Sequence, residues 1–223
     1  MTLRFGMLGA LAALALAGAS PASAAAIVGA KYITTLDTTS SAANLPGSAF
    51  GTVELDQIPA TEVDVLVSLT ATETWVGSDS KNTMAWNLSS AAKTASLAVT
   101  SPFSYNTKSY NNTTGYSQSP FNNFNSGIDA QSNGALGTHG LLTLKFTYSG
   151  GITVDDFITN FSGSGTGAGG GSYYFAVDLG ITATGKTGSI AASQKPRRIP
   201  EPATAALVAG GLAILGWARR RRA

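Results

Sequence analysis

Strict alternation of apolar and polar residues constrains the interior of this chain more than any other feature. The clearest run is EVDVLVSL at residues 62–69, where Val63, Val65, Val67 and Leu69 share one face. Successive side chains of a strand point to opposite faces, so the run predicts a half-buried β-strand with Glu62 and Asp64 on its solvated side.

Three further segments show the same period of two. In residues 52–58, Gln57 follows Val53 and Leu55 on one face. In residues 142–148 the apolar face is aliphatic and aromatic, and residues 173–181 place Tyr173, Phe175, Val177 and Leu179 together. These runs are rich in β-branched and aromatic residues and are separated by Gly, Asn, Ser and Pro clusters, which is typical of strands joined by turns.

Helical spacing is confined to one short stretch, residues 153–161, which predicts a single turn that begins with Asp155 and Asp156. Several strands without intervening helices favour an antiparallel arrangement. The sequence therefore predicts an all-β fold, an antiparallel β-sandwich of the jelly-roll or immunoglobulin-like kind, over residues 25–190.

Two stretches interrupt the strand pattern. Residues 101–140 are rich in Asn, Ser and aromatic residues and predict a long irregular excursion, pinned to the sandwich by Phe103, Tyr105, Phe121 and Phe124. Residues 162–172, SGSGTGAGGGS, predict a flexible loop.

The first 24 residues have the three parts of a secretory signal peptide. Arg4 gives a short positive region, residues 5–19 are apolar, and Ala22-Ser23-Ala24 is a small-residue cleavage site. We therefore expect the mature chain to begin near Ala25, with a buried N-terminal helix as the alternative.

Charge and cysteine content exclude several classes of function. Residues 25–190 contain six lysines, no arginine and eleven acidic residues, a formal charge of −5, whereas the basic residues concentrate at the C-terminus. A nucleic-acid-binding domain would need basic residues on the folded part, so that class is not expected. The chain has no cysteine, which rules out disulfides, thiolate metal sites and a cysteine nucleophile.

The C-terminus combines three elements in a fixed order: Pro200-Glu201-Pro202, an apolar run and an arginine cluster. The run predicts a short membrane helix over about residues 203–218, after a linker at residues 191–198. The cluster, Arg219, Arg220, Arg221 and Arg222, predicts a stop held on the cytoplasmic side, with the sandwich outside. The two prolines keep the helix from extending upstream, so the tripeptide is expected to be extended and accessible above the membrane.

Residues 199–223 resemble the PEP-CTERM sorting signal of Gram-negative bacteria, and the alternative is an ordinary single-span tail anchor. The resemblance implies that Pro200, Glu201 and Pro202 are recognised by an exosortase, an integral-membrane enzyme that removes the tail. It also implies an inner-membrane intermediate, then delivery to the outer surface or extracellular matrix, where such proteins accompany exopolysaccharide in biofilms and flocs. Residues 63–89 and 151–190 are similar to uncharacterised ectodomains of PEP-CTERM proteins, for which a β-sandwich is implied and no activity is established.

Catalytic constellations are sparse, so we expect no enzyme activity and no cofactor or metal. His139 is the single histidine, and a half-exposed turn position is the favoured interpretation of it. Paired carboxylates can cleave glycosidic bonds when they face each other across a cleft. Calcium binding is the other alternative considered for the candidate carboxylates, which are Asp64, Glu73, Asp155, Asp156 and Asp178.

Carbohydrate binding is the main rival to a purely structural role. Aromatic rings interleaved with asparagines in the excursion have the composition of a sugar-binding surface, whose candidate residues are Tyr105, Tyr110, Tyr116 and Phe121. The other interpretation is that these rings pin the excursion to the core. The sequence thus predicts an exported structural or adhesive matrix protein, with a carbohydrate-binding surface module as the alternative and exopolysaccharide as a candidate partner.

Overall fold

The computed structural model describes most of the region between the two termini. The described residues are 28–40, 45, 47–77, 83–89, 92–106, 116–117, 121, 123–132, 134–159, 172–181 and 184–200. The predicted signal peptide at 1–24 and the predicted membrane helix at 203–218 lie outside these residues.

The first sheet has six antiparallel strands. Its order is β16-β1-β3-β4-β13-β7, and its strands are β1 (Lys31–Leu36), β3 (Gly51–Gln57), β4 (Glu62–Leu69), β7 (Ser96–Thr100), β13 (Leu142–Thr147) and β16 (Arg197–Arg198). A tight hairpin joins β3 to β4, because Ile58 donates its N–H to the carbonyl of Glu62 at 3.1 Å.

The second sheet has eight strands and is centred on β14 (Phe175–Ile181). One edge of β14 pairs with β15 (Lys186–Ala192), which in turn pairs with β2 (Thr38–Thr39). The other edge pairs with two strands placed end to end, β5 (Glu73–Gly77) and β6 (Met84–Trp86). Beyond them lie β12 (Gly134–Ala135), β11 (Ser126–Ala130) and β8 (Tyr105–Asn106).

A single apolar core fills the space between the two sheets. Val53, Val65 and Leu144 from the first sheet share it with Met84 and Val177 from the second. Trp86 meets Phe146 edge-on across the gap, with ring centroids 5.5 Å apart. The predicted antiparallel β-sandwich and the predicted inward faces of β3, β4 and β13 are therefore confirmed.

The predicted helical turn is also present, as α1 (Asp155–Ile158). A 3-10 turn (Ala92–Thr94) precedes β7. The Asp156 carboxylate accepts the backbone N–H of Thr153 at 2.8 Å, which fixes the residue before the N-cap Val154 against the first turn. Phe157 then packs edge-on against Phe146 at 5.0 Å, so α1 closes one side of the core.

Gln57, predicted on the inward face of β3, is buried and fully engaged. Its Nε2 donates to the carbonyls of Pro59 at 2.8 Å and Ile152 at 3.0 Å, and Oε1 accepts the N–H of Val154 at 3.0 Å. One amide therefore ties the β3–β4 hairpin to the segment that leads into α1.

The alternation predicted for residues 173–181 is wrong at its first residue. Phe175, Val177 and Leu179 face the main core, but Tyr173 belongs to a separate cluster and Tyr174 packs towards the core instead. Ala192 lies opposite Phe175 in the register, yet its carbonyl accepts the N–H of Tyr174 at 3.1 Å. An offset of this kind, as in a β-bulge, moves the preceding side chains to the other face.

The outer face of the second sheet carries a second, smaller apolar cluster: Ala85, Phe121, Phe124, Tyr173, Ala176 and Ala191. Two of its rings come from the excursion, where β9 (Tyr116–Ser117) pairs with β10 (Asn123–Phe124). Phe121 meets Tyr173 edge-on at 4.9 Å. Phe121 and Phe124 thus pin the excursion to the sheet, as predicted.

Candidate functional site

The C-terminal segment passes from the second sheet to the first along β1. Just after β15, the Ser193 N–H and hydroxyl both donate to the Asp37 carboxylate, at 3.2 and 3.0 Å. The Thr34 hydroxyl then donates to the carbonyl of Gln194 at 2.7 Å. Together β1–β2 and β15–β16 form an antiparallel ribbon that joins both sheets, which we call the terminal ribbon.

Strand β16 fixes the last residues before Pro200-Glu201-Pro202. Arg197 lies opposite Ile33 and Arg198 opposite Tyr32 in antiparallel register. The N–H of Ile199 then donates to the carbonyl of Lys31 at 2.8 Å. Pro200 follows as an exposed residue without an N–H to donate.

Residues 191–198, the predicted linker, are largely paired in the structure. They contain the last two residues of β15 and all of β16. The tripeptide therefore begins two residues after a strand of the sheet. Of the predicted motif, Pro200 lies at this end of the described chain, whereas Glu201, Pro202 and the cluster Arg219, Arg220, Arg221 and Arg222 lie outside the described residues.

Charged side chains line the outer face of the first sheet next to the exit point, which is where the chain leaves β16 at Ile199 and Pro200. The Lys31 Nζ donates to Glu54 Oε1 at 2.6 Å and to Asp56 Oδ2 at 2.7 Å. The bond to Asp56, followed by the bond to Glu54, raises the pKa of Lys31. The bond from Lys31 lowers the pKa of Glu54.

Asp56 also faces a like charge on the neighbouring strand. Asp64 lies directly opposite it in the β3–β4 register, and one carboxylate oxygen of each is buried without a hydrogen-bond partner. Burial raises the pKa of both carboxyls. Lys145 stands opposite Asp64 on β13 and pairs with Glu62 at 2.9 Å. The sign of the charge therefore does not alternate along the row Lys31–Asp56–Asp64–Lys145, because two carboxylates lie side by side at its centre.

The other candidate carboxylates serve structural positions in different parts of the fold. Asp156 accepts hydrogen bonds from Ser89 at 2.5 Å and from Thr153. Asp178 accepts from Ser189 at 2.5 Å on the second sheet. Glu73 is buried at the start of β5, where its Oε1 accepts the Thr72 hydroxyl at 2.8 Å. Among the residues that the structure describes, no group of three or more such side chains is placed to hold a metal ion.

His139 is exposed, and its Nδ1 contacts the carbonyl of Glu73. It borders a pocket of about 210 Å³ formed with Thr74, Gly180, Lys186 and Thr187. The ring therefore lies at the exposed rim of the second sheet.

The candidate sugar-binding residues are not gathered on one described surface. Phe121 has 0 % of its surface exposed, because its ring packs within the second apolar cluster. The prediction that Phe121 belongs to an exposed sugar-binding surface is therefore wrong. Tyr105 is half-buried in β8, and its hydroxyl donates to the carbonyl of Val99 at 3.4 Å. Tyr116 lies in β9 with its backbone paired, and Tyr110 lies outside the described residues.

Comparison with known proteins identifies one segment. Residues 198–222 match the family model described as the PEP-CTERM protein-sorting motif. No curated protein matches the chain, and no solved structure does. Over the described part of the chain, the helices are too short or too polar to cross a membrane.

The match begins at Arg198, the second residue of β16. The motif implies an exported protein that is sorted by an exosortase-type membrane enzyme, as predicted from Pro200-Glu201-Pro202. Sequence reasoning missed the residues that hold the start of the motif, namely Lys31, Tyr32 and Ile33 on β1. A two-residue strand made of arginines has no apolar period, so nothing local pointed to this pairing.

Proposed function

We propose that the protein is a non-catalytic structural or adhesive component of the extracellular matrix, delivered by processing at or near Pro200-Glu201-Pro202. The tail would hold the sandwich on the outer side of the inner membrane until an exosortase-type enzyme removes it. The protein would then reach the outer surface or the exopolysaccharide matrix of a Gram-negative cell.

One observation carries this proposal: the sorting motif starts within the sheet itself. Arg198 is both a residue of β16 and the first residue of the match. Cleavage after Pro200 would therefore leave every described contact of the sandwich in place. A domain that stays intact when its tail is removed suits a protein whose folded body is the delivered product.

The environment of the candidate carboxylates supports a non-catalytic role. Asp156 accepts bonds that organise α1 and the segment after β6, and Asp178 bonds with Ser189 within the second sheet. Asp64 on β4 lies opposite Asp56 on the neighbouring strand β3, in the first sheet. Asp156, Asp178 and Asp64 thus occupy different parts of the sandwich.

Carbohydrate binding through the excursion is the weaker alternative. Sugar faces stack on exposed rings, and the buried rings of Phe121 and Phe124 favour the pinning role instead. Titration of the purified protein with the host polysaccharide separates the two. Saturable binding that Tyr105→Ala abolishes would support a carbohydrate-binding module and contradict a purely structural role.

The first test is the C-terminal peptide of the mature protein, measured by mass spectrometry in cells with and without the processing enzyme. We expect a chain that ends near Pro-Glu-Pro only when the enzyme is present. The variant Pro200→Ala/Pro202→Ala should keep its tail, whereas Arg197→Ala, on β16 and outside the match, should be processed normally. An intact tail in both strains would reduce the protein to a membrane-anchored ectodomain.

The matrix role needs a separate test. Cells that lack the protein should form weaker flocs or biofilms, and wild-type protein should restore them and be recovered in the matrix fraction. A tail-retaining variant should stay with the membrane and fail to restore cohesion. Recovery of wild-type protein only from the culture medium, with unchanged cohesion, would contradict the proposed role.

A further inference from the structure

The end of the sandwich at which the tail leaves is defined by the strand register. The start of β1, the end of β3, the start of β4 and the end of β16 all lie there, because Lys31 is level with Asp56 and Asp64. We call it the exit end. The hairpin residues 58–61 and the segment 28–30, which leads into β1, also belong to it.

The tether between the exit end and the apolar run is very short. Ile199 is bonded to Lys31, and the run begins at Ala203. Four residue steps span at most about 14 Å. The headgroup layer takes up roughly 5–7 Å of that distance on each side of a bilayer. When the tail is inserted, the exit end is therefore held closer to the membrane surface than the thickness of a β-sandwich.

The side chains around the exit point suit contact with headgroups. Val28 and Ile58 are exposed to 60 % and 42 % at this end, and they can enter the boundary of the headgroup layer. Arg197 and Arg198 are exposed cations on β16, directly before Ile199 and Pro200, and lipid phosphates attract such groups.

We propose that the exit end of the sandwich rests on the phospholipid headgroups before processing, with Ile58 at the membrane surface. This inference rests on the proposed insertion of the tail. It fixes the orientation of the domain: the strands stand upright, and the opposite end, which carries Leu141, faces away from the membrane. Leu141 is level with Ser68, six residues along the strand from Glu62, so it lies about 20 Å above the level of Ile58.

The experiment uses the full chain, taken from cells without the processing enzyme and reconstituted in phosphatidylethanolamine and phosphatidylglycerol vesicles. Because the chain has no cysteine, single variants Ile58→Cys, Leu141→Cys and Ala213→Cys each carry one fluorescent label, and position 213 is about 15 Å below the start of the run at 1.5 Å per helical residue. Leu141 is the matched control, since it is exposed to 48 %. Quenching is measured with spin labels placed on the headgroup and, separately, deep in the acyl chain.

We expect headgroup spin labels to quench position 58 and leave position 141 unchanged, while deep labels quench position 213. Quenching at 213 without quenching at 58, or equal quenching at 58 and 141, would overturn the proposed orientation and leave the anchor intact. Absence of quenching at 213 would show that the tail does not insert. That result would remove both the anchor and the orientation that depends on it.

Discussion

The backbone N–H of Ile199 donates to the carbonyl oxygen of Lys31 at 2.8 Å, which joins the last described residues to the first strand of the fold. The sorting motif therefore starts on a paired strand edge, next to Tyr32 and Ile33. This arrangement can be tested directly, because the chain contains no native thiol.

Paired cysteines in β1 and β16 should form a disulfide. Ile33 and Arg197 are directly opposite in the register, where Cα atoms stand about 5.5 Å apart, within disulfide range. We expect Ile33→Cys/Arg197→Cys to lose both free thiols under mild oxidation, as counted by thiol labelling and intact mass. Ile33→Cys/Lys195→Cys, two residues out of register, is the control and should keep them. Equal oxidation of both pairs would contradict the docked strand.

Truncation should show what β16 contributes to stability. A chain that ends at Ile199 keeps every described contact and should unfold in urea like the processed protein. A chain that ends at Ser193 loses the bonds of Thr34 and Lys31 to this segment and the pairing of β16. At about 0.5–1.5 kcal/mol per hydrogen bond, we expect a loss of about 2 kcal/mol. Identical unfolding midpoints would mean that β16 adds nothing.

Substituting Asp64 should stabilise the protein at neutral pH. Burial raises the pKa of its carboxyl above the ordinary value of 3.8, so the folded state binds the proton more tightly than the unfolded state. The stability of the wild type therefore falls as the pH rises from about 3.8 through the folded pKa. Asp64→Asn removes that loss, and urea unfolding should show a gain at pH 7 that disappears well below pH 3.8.

The matched control for Asp64 is Glu62→Gln on the same strand. Glu62 pairs with Lys145 at 2.9 Å, so its neutralisation should bring no gain at pH 7 and a small loss, as expected for an exposed ion pair. A gain of the same size in both variants would point to net charge as the cause, and would contradict the specific role of the Asp56–Asp64 pair.

Gln57 should be one of the most sensitive polar positions. Replacement by Met keeps the size of the side chain but leaves the Val154 N–H and the Ile152 carbonyl without their partner. We expect a loss of about 2–4 kcal/mol in urea unfolding, since each unsatisfied buried group costs about 1–3 kcal/mol. Gln131→Met is the control, because Gln131 is exposed, and it should stay within about 0.5 kcal/mol of wild type.

The two apolar clusters should respond differently to truncation of a ring. Phe146→Ala opens the main core and should cost about 3–5 kcal/mol in global unfolding. Phe121→Ala affects the small outer cluster and should chiefly accelerate protease cleavage within residues 101–124, as mapped by mass spectrometry. Cleavage at wild-type rate in Phe121→Ala would contradict its pinning role.

The strand faces were predictable because alternation is a local property. Val63, Val65 and Val67 are buried as their spacing requires. Tyr173 was not predictable in the same way, because the offset at Tyr174 depends on the partner strand β15. The meeting of Asp56 and Asp64 likewise depends on the hairpin register, which only the bonds around Ile58 and Glu62 fix.

The candidate site likewise combines a motif that the local sequence predicts with contacts that depend on strand pairing. Pro200, Glu201, Pro202 and the arginine cluster are adjacent in sequence, so the motif could be read directly. The docking of β16 on β1 joins the two ends of the described chain, and its partners lie far apart in the sequence. Loop closure over such a distance leaves no local trace in composition or period.

The terminal ribbon also has a mechanical consequence. A pull on the tail, directed away from the exit end, acts on β16 at the end where Ile199 meets Lys31. Because β16 runs along the direction of this pull, the bonds that join it to β1 are loaded together, in shear, and not one after another. Under tension this edge of the first sheet should therefore hold until those bonds break together, and only then should the tether lengthen, up to the contact of Ser193 with Asp37.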